Sequence, residues 1–97
     1  MLVGFSEIFK EDLKEADFVA GFLQEAYQEG PEVFLKALGY VARAHGMTEI
    51  AGKTDLNRVS LYRALSEEGN PEFKTVTAVL EAAGVQLRFE PTLEKAA

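Results

Sequence analysis

Residues 47–66 read MTEIAGKTDLNRVSLYRALS, two short runs with helical apolar spacing on either side of the polar corner Asp55, Leu56, Asn57. Three residues leave room for a tight corner and nothing more, so the spacing predicts helices over 48–54 and 58–66. Asn57 stands where a side-chain oxygen can accept a bond from the free amides of the second helix. That second run carries Arg58 and Arg63 and no carboxylate, although the chain as a whole has 16 acidic against 10 basic residues. A plain solvated face in so acidic a chain would be expected to mix signs.

Outward from this centre the chain is punctuated at short intervals. On the N-terminal side, Phe18, Val19, Phe22, Leu23, Ala26 and Tyr27 form one apolar stripe with Gln24, Glu25 and Gln28 off it, predicting a helix over 16–28. Gly30 and Pro31 close that helix and open the next, over 31–45, which buries Phe34, Leu38, Val41 and Ala42 and stops at Gly46. On the C-terminal side, Asn70 is placed to cap a helix whose first residue is Pro71. That helix puts Phe73, Val76, Val79, Leu80 and Ala83 on one side and ends at Gly84. Val85, Leu87 and Phe89 then alternate with Gln86, Arg88 and Glu90, the period of a half-buried strand. Its pairing partner is left open between Leu2, Val3 and Phe5, a second copy of the chain, and a different protein. The expected fold class is therefore all-α, about five helices with a short C-terminal β-strand. The organisation is a single domain over 1–97, comprising an N-terminal helical extension (1–30), a core (31–84), the strand (85–90) and a tail (91–97).

A chain of 97 residues suits one hydrophobic core. With no cysteine there are no disulfides and no thiolate metal sites, which suits a reducing cytoplasm. No apolar run approaches the length of a membrane span, and the start MLVGFSEIF lacks signal-peptide features, so a cytoplasmic protein with no membrane partner is expected. The net charge of -6 works against nucleic acid at long range, but its distribution does not: net -5 over 1–30, +2 over 31–66 and -3 over the remainder. The acidic N-terminal third, with Glu7, Glu11, Asp12, Glu15, Asp17, Glu25 and Glu29, either complements a basic partner or is simply a solvated face. His45, the sole histidine, closes a helix and reads as a cap or contact. Adjacent carboxylates such as Glu11 and Asp12 diverge on a helix, and no serine has a nucleophile's surroundings. No enzyme activity, no metal site and no cofactor are expected.

The stretch 47–66 resembles the helix-turn-helix of the Cro and CI (lambda repressor-like) family. On that likeness Ala51 marks a close helix crossing, Ile50, Leu56, Leu61 and Leu65 pack the helices together, and Asp55 takes the turn position where the family usually has glycine. The resemblance implies that Arg58, Val59 and Tyr62 enter a major groove and that Arg63 and Thr48 meet phosphates, with Lys53 and Ser60 as secondary contacts and Asn57 as the cap. Tyr62 also reads as a core residue. From residue 16 to 90 the chain is similar to the antidote (antitoxin) proteins of addiction modules, a HigA-like group, carried by DFVAGFLQEAYQEGPEVFLKALGYVARAHGM and LNRVSLYRALSEEGNPEFKTVTAVLEAAGVQLRF, with SLYRALSEEGNPEF most specific. The family implies a type II toxin-antitoxin function: binding of a RelE/ParE-like toxin and repression of its own operon. The expected partners are double-stranded operator DNA, a cognate toxin and a second copy in a homodimer, since one such motif makes few contacts. Two alternatives stand beside this: a free-standing Cro-like phage or prophage repressor, and a pure protein-interaction module.

Overall fold

The computed structural model describes Gly4, residues 8–66 and residues 68–93. These form five α-helices, α1 Ala16–Glu29, α2 Pro31–His45, α3 Met47–Gly52, α4 Arg58–Ala64 and α5 Phe73–Ala83, preceded by a 3-10 turn at Asp12–Lys14. The all-helical class expected from periodicity is what the described residues adopt.

Helix α2 lies at the centre, touching α1, α3, α5 and the 3-10 turn. Its length and face explain why: Leu38, Val41 and Ala42 are fully buried, and together with Ala37 they give it an apolar surface wide enough for several neighbours. α1 answers with Val19, Leu23 and Ala26, spaced four and three apart, so that all three point at α2. Tyr27 does not join that stripe; it is exposed and sets the edge of its ring against Phe34, centroids 5.8 Å apart. Phe18 and Phe22 pack against the core at its margin, with Phe9 stacked on Phe18 at 5.8 Å. The 3-10 turn buries Leu13 completely, and His45 Nε2 lies 3.0 Å from the Leu13 carbonyl. Because a carbonyl only accepts, that ring nitrogen donates, and His45 ties the turn to the end of α2.

Gly46 makes the corner between α2 and α3 at φ 104, a region open to glycine and strained for side chains. Helix α5 begins later than Asn70 and Pro71 suggested. Its N-terminal boundary is Glu72, extended and without a side-chain cap, and the first helical residue is Phe73. The shift changes the inward face. Phe73 is 67% exposed, and Thr75, outside the stripe read from sequence, is fully buried, as Val79 is completely and Ala78 nearly.

The expected C-terminal strand over 85–90 is not formed. Among the described residues no strand is present, and the segment leaves α5 without regular structure, with Leu87 and Phe89 exposed. Alternation makes a segment fit to be a strand, but a strand exists only when another edge takes up its amides and carbonyls. Leu2, Val3 and Phe5, one expected partner, lie outside the described residues, as do Glu7 and the last four residues of the tail.

Candidate nucleic-acid interface

The centre of the sequence folds as two short helices joined by a turn. α3 buries Met47 and Ile50, and α4 buries Leu61, followed by the buried Leu65 just past its end. Leu56, in the turn, is half-buried against the same core. The apolar positions Ile50, Leu56, Leu61 and Leu65 thus all point inward, as does part of Ala51.

The turn is built without glycine and without any positive φ, so Asp55, at the position where the resembled family usually has glycine, is not left-handed. Thr54 does the shaping instead. Its hydroxyl donates to the Ala51 carbonyl and accepts from the Leu56 amide, both at 3.1 Å, replacing the backbone bonds that end with α3. Asp55 is left free to reach α5, where Lys74 donates to its carboxylate. That hydrogen bond, reinforced by the charge of Lys74, holds the Asp55 carboxyl below its ordinary range and raises Lys74 above its own. Asn57, extended at ψ 175, accepts from the Ser60 amide at 2.8 Å and so starts α4.

With Leu61 turned inward, helical geometry lays the remaining side chains of α4 in two adjacent rows, Arg58 with Tyr62 and Val59 with Arg63. All four are exposed, Val59 at 65% and Tyr62 at 40%, so the core role weighed for Tyr62 does not apply. The Arg58 guanidinium sits over the Tyr62 ring, 5.8 Å from its centroid, which holds it extended along the helix. Neither arginine forms an ion pair with a described residue. Lys53 differs, because its ammonium is 3.7 Å from Glu81 of α5. An exposed pair of this kind contributes only ~0–1 kcal/mol, so Lys53 is diverted without being lost to another anion. Thr48 is exposed in the first turn of α3 and Ser60 is half-buried under the Asn57 cap. α4 therefore carries five of the eight expected contact residues and Asn57 caps it, while Thr48 lies in the first turn of α3 and Lys53 just past its end.

Two features escaped the sequence reading. Gly39 makes a close crossing: a Cβ there would stand 2.9 Å from the Leu65 carbonyl, so α2 accepts the end of α4 only because Gly39 has no side chain. Its signal was a glycine inside an otherwise regular helix. Beside it Lys36, Tyr40, Arg43, Leu65, Ser66 and Glu68 line an open cleft of about 440 Å³. The spacing of Lys36, Tyr40 and Arg43, one face of α2, was its signal.

A family model described as "Probable addiction module antidote protein" matches residues 6–91, a span that contains all five helices and both faces described above. The chain belongs to this family of probable addiction-module antidotes. A relative, an uncharacterized protein of Haemophilus influenzae, is 40% identical over 81 residues, covering 82% of this chain and 84% of its own. No solved structure matches. Membership of an antidote family implies a cognate toxin as partner. No helix among the described residues is long and apolar enough to cross a membrane.

Proposed function

We propose that this protein is the antitoxin of a type II toxin-antitoxin module, HigA-like, which neutralises a RelE/ParE-like toxin by direct binding and represses its own operon as a homodimer. The observation that carries the DNA half of this reading is the outer face of α4, two exposed arginines flanking Val59 and Tyr62, without an ion pair among the described residues, on a helix without a carboxylate. Such a helix suits a major groove: Arg58 grips a guanine edge with two donors, Val59 lies against a thymine methyl, and Arg63 and Thr48 meet phosphates. Asp55, the carboxylate beside the start of α4, is already neutralised by Lys74, which removes a repulsion at the entrance to the groove. The toxin half rests on the family match, and the exposed acidic groups of the N-terminal third complement a basic nuclease partner. The reading calls for no cofactor and no catalytic residue, and it places the protein in the cytoplasm.

The test measures binding of wild type and Arg58→Ala to the DNA upstream of the gene by fluorescence anisotropy, alongside thermal melts. Arg58→Ala is expected to lose ~1–3 kcal/mol of binding, selective for the native sequence, and to melt as wild type does. Unchanged affinity, or no binding by either form, refutes the DNA half. Co-expression with the product of the neighbouring gene tests the other half: a stoichiometric complex that relieves toxicity is expected, and a neighbour that neither binds nor poisons leaves only a free-standing repressor.

A further inference from the structure

The start of α1 and the end of α5 approach closely: a Cβ added at Gly84 would stand 3.7 Å from that of Ala16. Beside this contact Ala16, Ala20, Gly84 and Val85 line an open groove of about 500 Å³, so most of its wall is small or apolar. Its two charged groups are both carboxylates, Asp17 from α1 and Glu81 from α5, and both are exposed. Asp17 forms no ion pair with a described residue, and Lys53 answers Glu81 only through the exposed contact at 3.7 Å. The last turn of α5, which borders the groove, holds no basic residue, so the negative end of that helix adds to the same field.

We propose that this groove takes an arginine or lysine side chain of a protein partner, the toxin of the reading above, and that the outer face of α1 carries the rest of that contact. Small and apolar walls suit the methylene stem of such a side chain, while the two carboxylates meet its charged end. A neutral or acidic side chain would leave both carboxylates unanswered. With two carboxylates and no third ligand among the described residues, the groove suits a guanidinium or ammonium better than a metal ion. α1 continues the same chemistry away from the groove, since it holds Asp17, Glu25 and Glu29 and no basic residue. Tyr27, seven positions from Ala20 and so on the same side of the helix, is 64% exposed, with its ring braced by Phe34. An exposed tyrosine held in place in this way is the kind of side chain that anchors a protein interface.

The location bears on regulation. Along α2 the contact with α1 at Phe34 and the seat of α4 at Gly39 are five positions apart, about 140° of helical rotation, so α1 and α4 occupy different sides of α2. A partner held at α1 therefore leaves the arginine face of α4 open, and partner and DNA are bound together. The inference deepens the antitoxin reading by naming where its toxin docks, and it rests on that reading for the identity of the partner.

Ala20→Arg fills the groove with a basic side chain from the antidote itself, at an exposed helical position where the alanine Cβ is kept. Full-length wild type, Ala20→Arg, Tyr27→Ala and Glu68→Gln are titrated by calorimetry with the purified product of the neighbouring gene, with thermal melts alongside. Glu68→Gln is the control, because it changes net charge as Ala20→Arg does but in the loop after α4. Ala20→Arg and Tyr27→Ala are each expected to weaken the complex at least about tenfold and Glu68→Gln less than about twofold, with Ala20→Arg melting as wild type does. Equal binding by wild type and Ala20→Arg overturns the groove and leaves the toxin reading standing, whereas no binding by wild type overturns both. A change in the sedimentation of Ala20→Arg by itself assigns the groove to a second copy of the chain and also overturns the proposal. These titrations contain no DNA, so they are blind to failure of the DNA reading. In a last step the same product is added to wild type already bound to the upstream DNA. A further rise in anisotropy is expected as the ternary complex forms, and displacement of the DNA, or no DNA complex at the outset, overturns the joint binding.

Discussion

Helices α2 and α4 are both delimited by clear stop and start residues, yet they are held in opposite ways. α2 runs 15 residues and buries five of them, so its position is over-determined by contacts on several sides. α4 runs seven residues and buries one, Leu61. A helix that short is far below the ~12–15 residues at which isolated helices become even marginal in water. It exists because Leu61 and the neighbouring Leu65 anchor it, Asn57 caps it, and Gly39 lets its end settle on α2. The difference teaches how a small protein frees a surface: a helix with one inward residue has nearly every other side chain available for a partner.

The contrast can be broken most directly at the one buried residue of α4. Leu61→Ala is expected to cost ~2–5 kcal/mol in a denaturant or thermal melt, because it leaves a cavity under a short helix whose other supports are the cap and the neighbouring Leu65. A loss under ~1 kcal/mol would show that cap and turn hold α4 without the core. Asn57→Ala sharpens the point. The lost bond to the Ser60 amide is expected to cost about 1 kcal/mol, visible as a drop of roughly 4–8 °C in Tm for a domain of this size.

On the scaffold side the expected sign reverses. Thr75 is fully buried and its hydroxyl has no hydrogen-bond partner among the described residues. Thr75→Val keeps the shape and removes the unsatisfied oxygen, so it is expected to raise stability by up to about 1 kcal/mol. A lower Tm would show that the hydroxyl is bonded in solution.

The smallest effect concerns the bridge between the two regions, Asp55 on the turn and Lys74 on α5. Both groups are exposed, so Lys74→Met is expected to lower Tm only slightly, and only in a defined pH window. Asp55 titrates lower when folded, so its contribution is present above the ordinary aspartate range and fades as pH falls through the depressed value. Lys74 titrates higher when folded, so its contribution is present below the ordinary lysine range and fades as pH rises through the raised value. Melts of the two proteins should differ at neutral pH and converge in strong acid and strong alkali. A difference that persists in acid would locate the effect in packing of the Lys74 stem.

Much of this was legible before any coordinates. Gly46 and Gly84 end helices where they were expected to, Asn57 caps α4, and Ile50, Leu61 and Leu65 are buried as the resemblance to the Cro and CI motif implied. The misreadings share a cause. Phe73 was assigned inward because it is apolar and in register with Val76 and Leu80, but at the first position of its helix it extends past the neighbours that would cover it. Asp55 was judged by the backbone freedom of its residue type, whereas Thr54 shapes the turn and Asp55 answers to a lysine 19 residues away.

What the amino-acid order determined by itself is that five helices form and which residues stop most of them, and that α4 carries positive charge without a carboxylate. Those are local properties, set by one residue's torsions or by neighbours three and four positions along. Only the tertiary structure decided that Lys53 turns to Glu81, that Gly39 lies beneath Leu65, and that residues 85–90 find no described edge to pair with. Each of these depends on how two faces meet through space, and no window of sequence contains both sides of such a meeting.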